Sequence, residues 1–137
     1  MASPAASSSA KERGLRVFVV ENHEDTRLAL TLLLDQLGHE VDGAPNLAEA
    51  LDALANAAPD VIISDIGLPD GSGWDLLKQL RHVPYAIAMS GYGMNADRER
   101  SRAAGFRHHL VKPMDLEQLE AMLAEAARER AASTSSN

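Results

Sequence analysis

The chain has 137 residues, 20 of them Asp or Glu and 13 Lys or Arg, and its net charge of −7 argues against nucleic-acid binding through phosphate contacts. The absence of cysteine excludes disulfide frameworks and thiolate zinc sites. The longest nearly apolar run, residues 28–34, is too short to cross a membrane, and the first ten residues do not resemble a secretory signal. We therefore expect a cytoplasmic protein without membrane contact.

Small and polar residues dominate both ends of the chain. They predict disordered tails at residues 1–13 and 131–137, on either side of one folded domain at residues 14–130. The apolar content of 45% suffices for a buried core in a domain of this length. The aromatic content of only 4% indicates that this core consists mainly of aliphatic side chains.

Short apolar runs alternate along the chain with segments of helical periodicity. Strands are predicted at residues 16–20, 40–44, 60–64, 85–89 and 106–111. Helices are predicted from Asp25, from Asn46, at residues 74–81 and 95–104, and from Asp115. The Gly, Pro and Asp residues between 66 and 73 predict a loop. Five such strand–helix units predict a parallel sheet with helices on both faces.

Individual residues indicate where the helices begin, end and face the core. Asp25 is expected to cap the first helix, in which Leu28, Leu32, Leu33 and Leu37 recur at helical spacing. The other signals are Gly38 and Gly105 as stops, Asn46 with Glu49 as a capping box, and Asp115 as the last cap.

The predicted strand ends carry the side chains most suited to chemistry. Glu21 and Asn22 follow the first strand, Asp65 the third, Ser90 the fourth and Lys112 the fifth. Ligands of parallel α/β sheets bind outside the carboxyl ends of the strands. Acid and amide oxygens suit Mg²⁺, whereas a lysine and a hydroxyl suit the oxygens of a phosphoryl group. A carboxylate between them is able to attack phosphorus and form an acyl phosphate.

Four motifs in this order resemble the receiver domains of two-component response regulators. They are VVENH at residues 19–23, SDIGLPDG at 64–71, MSGYG at 89–93 and VKP at 111–113. The resemblance covers residues 15–128, and the SGYG and HHLVKP segments are most similar to receivers associated with hybrid sensor histidine kinases. It implies an α/β, flavodoxin-like, doubly wound fold. In that fold a five-stranded parallel sheet of order 2-1-3-4-5 lies between layers formed by five helices.

The same resemblance implies the roles of the residues at the phosphorylation site. Asp65 corresponds to the phospho-accepting aspartate, Ser90 to the hydroxyl that binds a phosphoryl oxygen, and Lys112 to the lysine that pairs with the phosphate. Ser90 and His109 occupy the two switch positions, where the family usually has an aromatic residue in place of His109. The bond between Lys112 and Pro113 is expected to be cis.

The implied metal site departs from the family pattern at one position. Glu21, Asn22, Asp65 and the Gly67 carbonyl correspond to the Mg²⁺ ligands, but Asn22 replaces an acid. An amide oxygen is able to bind Mg²⁺ without bringing charge, so affinity is expected to fall by roughly one to two decades. Gly67 and Tyr92 correspond to the positions at which the family tunes the lifetime of the phosphoryl group. Gly67 has no side chain to orient the attacking water, and Tyr92 is bulky enough to exclude it, so slow hydrolysis is predicted.

The leading functional hypothesis is a phosphorelay receiver that is not an enzyme beyond its self-catalysed phosphorylation and dephosphorylation. It would take the phosphoryl group from a histidine kinase or phosphotransfer protein and signal to a downstream protein partner as a monomer or weak dimer. Only 24 residues follow Pro113 (137 − 113), too few for an output domain, so surface contacts are expected to carry the output. By resemblance these involve the fourth helix, fifth strand and fifth helix.

Other functions are weighed against this one. A degenerate receiver that docks without phosphorylation is supported by Asn22. An aspartyl-nucleophile phosphohydrolase would need a second acid two residues after Asp65, where Gly67 stands. A flavodoxin-like cofactor binder would need a phosphate-cradling loop, which the sequence does not show. A zinc site at His108 and His109 is disfavoured, because neighbours on a strand point to opposite faces.

Overall fold

The structure is a computed structural model that describes residues 14–91 and 95–135. Its main sheet is parallel throughout, with the strand order β2–β1–β3–β6–β7. The sheet strands are β1 (Arg16–Val20), β2 (Glu40–Ala44), β3 (Val61–Asp65), β6 (Tyr85–Ser90) and β7 (His108–Val111). The helices are α1 (Glu24–Gln36), α2 (Leu47–Leu54), α3 (Gly73–Lys78), α4 (Asn95–Ala104) and α5 (Leu116–Ser135).

The remaining two strands lie within the segment predicted to be a loop. β4 (Gly67–Leu68) and β5 (Gly71–Ser72) form a short antiparallel hairpin apart from the main sheet. When this hairpin is set aside, the order of the main sheet is 2-1-3-4-5. The predicted doubly wound fold with five helices is therefore confirmed.

The sheet separates two apolar cores, because its buried strands present alternate side chains to opposite faces. Side chains of α1 and α5 pack on one face, including Leu34 and Leu123. Those of α2, α3 and α4 pack on the other, including Leu54 and Leu76. This three-layer arrangement places the loops after β1, β3, β6 and β7 side by side at the carboxyl edge of the sheet.

Several predicted helix boundaries are confirmed by their hydrogen bonds. Asn46 accepts the backbone N–H of Glu49 at 2.8 Å, and its amide donates to the carboxylate of the same residue at 3.0 Å. Asp115 accepts the backbone N–H of Glu117 at 2.9 Å. Gly38 and Gly105 adopt positive φ angles of 96° and 116°, a conformation that glycine adopts without a steric penalty.

The predicted start of α1 at Asp25 is wrong. The helix begins at Glu24, and its N-cap is His23, whose side chain makes no capping hydrogen bond. Asp25 lies in the first turn, where its negative charge faces the positive end of the helix dipole. Asp25 favours the start of the helix through its charge, whereas the cap itself lies two residues earlier, at His23 (25 − 23).

The face of α1 that is buried differs from the most regular leucine pattern. Leu30 and Leu34 are buried, whereas Leu28, Leu32 and Leu37 are 55%, 54% and 40% exposed. Six apolar residues in residues 28–34 surround the helix, so periodicity identified the helix but did not decide which side faces the sheet.

The C-terminal helix continues further than expected. The tail predicted from residue 131 is corrected at its start, because α5 extends through Ser135. The end of the helix is held where Arg130 donates to the Gly14 carbonyl at 2.9 Å and lies 3.6 Å from Asp60. Ala131 and Ala132 follow as good helix formers, so the helix propagates past its last buried turn.

Across residues 14–91 and 95–135, no helix combines the length and the apolar character that a membrane crossing requires.

Candidate functional site

Three side chains from the ends of separate strands meet at the carboxyl edge of the sheet. The Lys112 ammonium donates to Glu21 Oε1 at 2.6 Å and to Asp65 Oδ2 at 2.8 Å. The side chains of Glu21, Asp65 and Lys112 are 0%, 14% and 25% exposed. One cation therefore bridges two carboxylates that are 44 residues apart in the chain (65 − 21), in a largely water-excluded position.

Glu21 is held in its ionised form by several donors. Burial opposes its charge, but the hydrogen bond from Lys112 and the backbone N–H of His23 outweigh burial and lower the pKa of the Glu21 carboxyl. The His23 N–H lies 3.0 Å from Glu21 Oε2, and its ring Nδ1 lies 3.2 Å from the same oxygen. Arg27 also donates to the Glu21 carbonyl at 2.7 Å, which fixes the backbone at this point.

Lys112 remains charged for the complementary reason. Burial disfavours the ammonium, but its hydrogen bonds to Asp65 and Glu21 raise the pKa of Lys112 above its ordinary value. The Lys112 backbone N–H donates to the Ser90 carbonyl at 2.8 Å, so β7 is anchored to β6 directly beside the site. The expected cis peptide bond between Lys112 and Pro113 is present.

The backbone around Asp65 holds this carboxylate at the sheet edge. The Gly67 N–H donates to Asp65 Oδ1 at 3.2 Å, and Ser64 Oγ donates to the Asp65 carbonyl at 2.9 Å. The first residue of α3, Gly73, approaches very closely: a Cβ atom there would lie 2.7 Å from the Asp65 carbonyl oxygen. Only glycine allows α3 to pack against this strand end without displacing it.

Asp70 attaches the hairpin after Asp65 to the start of α2. Its two carboxylate oxygens accept the backbone N–H groups of Leu47 at 2.8 Å and Ala48 at 3.0 Å. These hydrogen bonds lower the pKa of the Asp70 carboxyl. Asp70 therefore serves the architecture of the site rather than its chemistry.

The predicted metal ligands are brought to the same edge, with one difference in environment. Glu21 and Asp65 present carboxylates, whereas the Asn22 side chain is exposed and makes no hydrogen bond to the described part of the chain. A Cβ atom added at Gly67 would meet no atom within 4 Å, so the space beside this residue is open on its side-chain side. Across residues 14–91 and 95–135, no group of three or more His, Cys, Asp or Glu residues forms a metal site.

This donor set fits a hard divalent cation in kind, because carboxylate, amide and backbone oxygens are the ligands that Mg²⁺ prefers. The set contains two carboxylates, and both already share the positive charge of Lys112. The chemistry of Glu21, Asn22, Asp65 and Gly67 thus accommodates Mg²⁺ with fewer negative charges than a three-acid site.

The two predicted switch residues are in direct contact. Ser90 Oγ lies 2.7 Å from His109 Nε2. His109 comes from β7 and Ser90 from the end of β6, and the hydrogen bond joins the carboxyl edge of the sheet to the face where α4 packs. His108, the next residue on β7, contacts Glu125 of α5 at 2.9 Å instead. The two histidines therefore point to opposite faces, as predicted.

The structure adds two residues that were not among the predicted site residues. The Trp74 indole N–H donates to Ser101 Oγ at 2.9 Å, and that oxygen lies 3.4 Å from His109 Nδ1. Ser101 is only 1% exposed, although it lies among exposed arginines of α4. A small residue within a run of long charged ones was the available sequence signal. Tyr92, the second predicted lifetime residue, lies outside the described residues.

Comparisons with known proteins agree with this geometry. A family profile described as the response regulator receiver domain matches residues 17–124. The polar-differentiation response regulator DivK of Brucella anthropi is 34% identical over 106 residues, which cover 73% of this chain and 85% of DivK. The sensory/regulatory protein RpfC of Xanthomonas campestris is 32% identical, and the match covers 86% of this chain but 17% of RpfC.

Solved structures show the same likeness in three dimensions. The chemotaxis response regulator CheY4 of Vibrio cholerae superposes with a TM-score of 0.75 at 26% identity, covering 82% of this chain and 98% of CheY4. A two-component response regulator from Clostridium difficile gives a TM-score of 0.79 at 26% identity and covers 82% of this chain and 95% of its own. This chain belongs to the response regulator receiver domain family of two-component systems.

Proposed function

We propose that the protein accepts a phosphoryl group on Asp65 from a histidine kinase or phosphotransfer protein. The observation that carries the proposal is the bridge from the Lys112 ammonium to the carboxylates of Glu21 and Asp65. A cation held this close to a strand-end carboxylate lowers the repulsion between that carboxylate and an anionic phosphodonor. Receivers are in general signalling modules rather than enzymes, and phosphorylation here changes the protein itself.

The transfer is a displacement at phosphorus. A carboxylate oxygen of Asp65 forms the new O–P bond while the P–N bond of the donor phosphohistidine breaks. The electron pair of that bond leaves with the imidazole, which ends neutral after proton exchange with solvent. Lys112 pairs with a phosphoryl oxygen, and the Ser90 hydroxyl donates to another. The burial of this site strengthens both interactions relative to bulk water.

Mg²⁺ would be held by Glu21, Asn22, Asp65 and the Gly67 carbonyl. When bound, it supplies additional neutralisation of the phosphoryl charge. Ionised Glu21 contributes its charge to this site through the physiological range, since its pKa is lowered.

The decisive test is labelling by a small phosphodonor. The protein is incubated with acetyl phosphate or phosphoramidate and Mg²⁺, and the intact mass is expected to increase by one adduct of about 80 Da. Asp65→Asn removes the nucleophile with little change of shape, so the adduct should disappear. Asp60→Asn is the matched control, because this acid lies at the opposite end of β3 and its loss should leave labelling intact. An adduct that persists in Asp65→Asn contradicts the proposal.

The output surface proposed here is the face formed by α4, β7 and α5. A cleft on this face is lined in part by Arg98, Arg102, Arg107 and His109. His109 lines the cleft and also contacts Ser90, so a change in the position of Ser90 alters the cleft through this hydrogen bond. In a chain with a net charge of −7, these cationic side chains favour an acidic partner segment.

A second candidate function is docking without phosphorylation. The exposed Asn22 favours it, because the site has only two carboxylates and Lys112 bridges both of them. The labelling experiment separates the two functions: a wild-type protein that takes up no phosphoryl group at saturating Mg²⁺ favours docking alone.

A further inference from the structure

A hydrogen-bond chain crosses the core from α3 to the carboxyl edge of the sheet at Ser90. It begins at the Trp74 indole, continues through Ser101 of α4 and His109 of β7, and ends at Ser90. The three distances along it are 2.9, 3.4 and 2.7 Å. Three helix and strand elements therefore contribute to the surroundings of one hydroxyl.

The chemistry of the first group sets the direction of this chain. An indole nitrogen is able only to donate, so Ser101 Oγ must accept from Trp74. Ser101 is buried at 1% exposure, and its side chain has no other partner than Trp74 and His109 in the described part of the chain. The Ser101 hydroxyl proton therefore has one acceptor within reach, the Nδ1 atom of His109.

The hydrogen bond from Ser101 then determines which ring nitrogen of His109 carries the proton. A neutral histidine that accepts at Nδ1 carries its proton on Nε2. His109 Nε2 therefore donates to Ser90 Oγ, and the imidazole does not compete for the Ser90 hydroxyl proton. If His109 instead carried its proton on Nδ1, the Ser90 hydroxyl would donate to Nε2 and would be unable to donate to a phosphoryl oxygen at the same time.

We propose that Trp74, Ser101 and His109 are positioning residues that hold the Ser90 hydroxyl as a donor toward the phosphoryl group on Asp65. The inference rests on the proposed function and adds to it a hydrogen-bond donor, the Trp74 indole, that is 16 residues from Ser90 in sequence (90 − 74). Each donor in the chain polarises the next, so the chain strengthens the final donor. Arg100 lies 4.2 Å above the Trp74 ring and holds the indole in place from the solvent side.

The first test measures the His109 tautomer in the unphosphorylated protein. In ¹⁵N-labelled protein, long-range proton–nitrogen NMR spectra report separately on Nδ1 and Nε2. Near pH 8 we expect an unprotonated Nδ1 and a protonated Nε2. Trp74→Phe keeps an aromatic ring but removes the donor, and it should move His109 toward a mixture of tautomers. A wild-type His109 with its proton on Nδ1 would overturn the proposal.

The second test measures phosphorylation. Trp74→Phe should slow labelling by acetyl phosphate about two- to tenfold, the worth of one neutral hydrogen bond. Tyr85→Phe is the matched control: it removes the hydrogen bond from the Tyr85 hydroxyl to Glu125 on the other face of the sheet. It should leave the labelling rate unchanged. Equal rates for Trp74→Phe and the wild type would overturn the positioning role.

The tests also keep this inference apart from the proposed function. A wild-type protein that is never labelled refutes the function of Asp65, whereas an incorrect tautomer refutes the hydrogen-bond chain even if labelling is normal. Ser101→Ala provides an independent variant, because it breaks the chain at its centre and leaves the indole in place. It should reproduce the tautomer change of Trp74→Phe, and a His109 with an unaltered Nε2 proton in this variant would contradict the proposal.

Discussion

Two clusters of charged side chains lie at opposite ends of β7, one at Lys112 and one at Arg107. Their contact distances are similar, but their surroundings differ. At the sheet edge, Lys112 contacts Glu21 and Asp65 at 2.6 and 2.8 Å, with side chains 0–25% exposed. Against α5, Arg107 Nη1 contacts Glu129 at 2.7 Å, with both side chains 45% exposed. Contact distance alone therefore does not distinguish the cluster at the candidate site from the peripheral one.

The difference in burial decides what each cluster does. Water screens the Arg107 pair, so its attraction largely replaces interactions that both partners make with solvent. The Lys112 cluster is shielded, so each charge depends on the others and a new charge, such as a phosphoryl group, perturbs all of them. A buried cluster therefore responds more strongly to an added charge than an exposed one does.

Breaking the buried cluster should have the largest effect. Lys112→Met keeps the length of the side chain but leaves Glu21 and Asp65 without their shared cation. We expect labelling by acetyl phosphate to slow by about 10²-fold or more, as when a preorganised electrostatic group is removed from an active site. The free energy of unfolding should fall by about 1–3 kcal/mol, because buried Glu21 loses a charged hydrogen-bond partner. Labelling kinetics and urea denaturation measure the two effects. A labelling rate within about threefold of that of the wild type would contradict this account.

Adding an acid to the buried cluster sharpens the comparison. Asn22→Asp should tighten Mg²⁺ binding by roughly 10- to 100-fold, because one negative charge is added beside a divalent ion in a partly shielded site. Isothermal titration calorimetry measures the dissociation constant. Asn56→Asp provides the control, since it makes the same charge change at an exposed position after α2. If both variants bind Mg²⁺ equally well, the charge of position 22 is irrelevant to the metal.

Substitution of Asp70, an exposed carboxylate that accepts two backbone N–H groups, should have an intermediate and pH-dependent effect on stability. The Leu47 and Ala48 N–H groups lower the pKa of Asp70, so its stabilising effect is present above the pKa of an unfolded aspartate and is lost as the pH falls through the folded pKa. Asp70→Asn should therefore be less stable than wild type at pH 7, and the difference should shrink under acid conditions. Thermal unfolding followed at a series of pH values tests this, and a difference independent of pH would refute it.

The smallest effect is expected at the exposed cluster. Arg107→Gln should change the free energy of unfolding by about 0.5 kcal/mol or less, because exposed ion pairs contribute little. It should leave the labelling rate unaltered, since the side chain lies on the α5 side of β7. Urea denaturation in low and high salt provides the measurement. A loss comparable to that of Lys112→Met would show that burial does not govern the difference between the two clusters.

The sequence determined the order of strands and helices, because a buried parallel strand and an amphipathic helix have different local periodicities. It also placed Glu21, Asp65, Ser90 and Lys112 at strand ends, where the direction of a parallel sheet brings them to one edge. These features depend on neighbours in the chain and on one general rule of sheet topology.

Tertiary structure alone decided which contacts those residues make. The apolar residues of α1 surround the helix, so only packing against the sheet selected Leu30 and Leu34 over Leu28 and Leu32. Ser101 becomes a partner of Trp74 because α3 and α4 pack side by side, 27 residues apart in sequence. Local patterns carry no information about such pairings, since the free energy that selects them arises from burial and hydrogen bonding between distant segments.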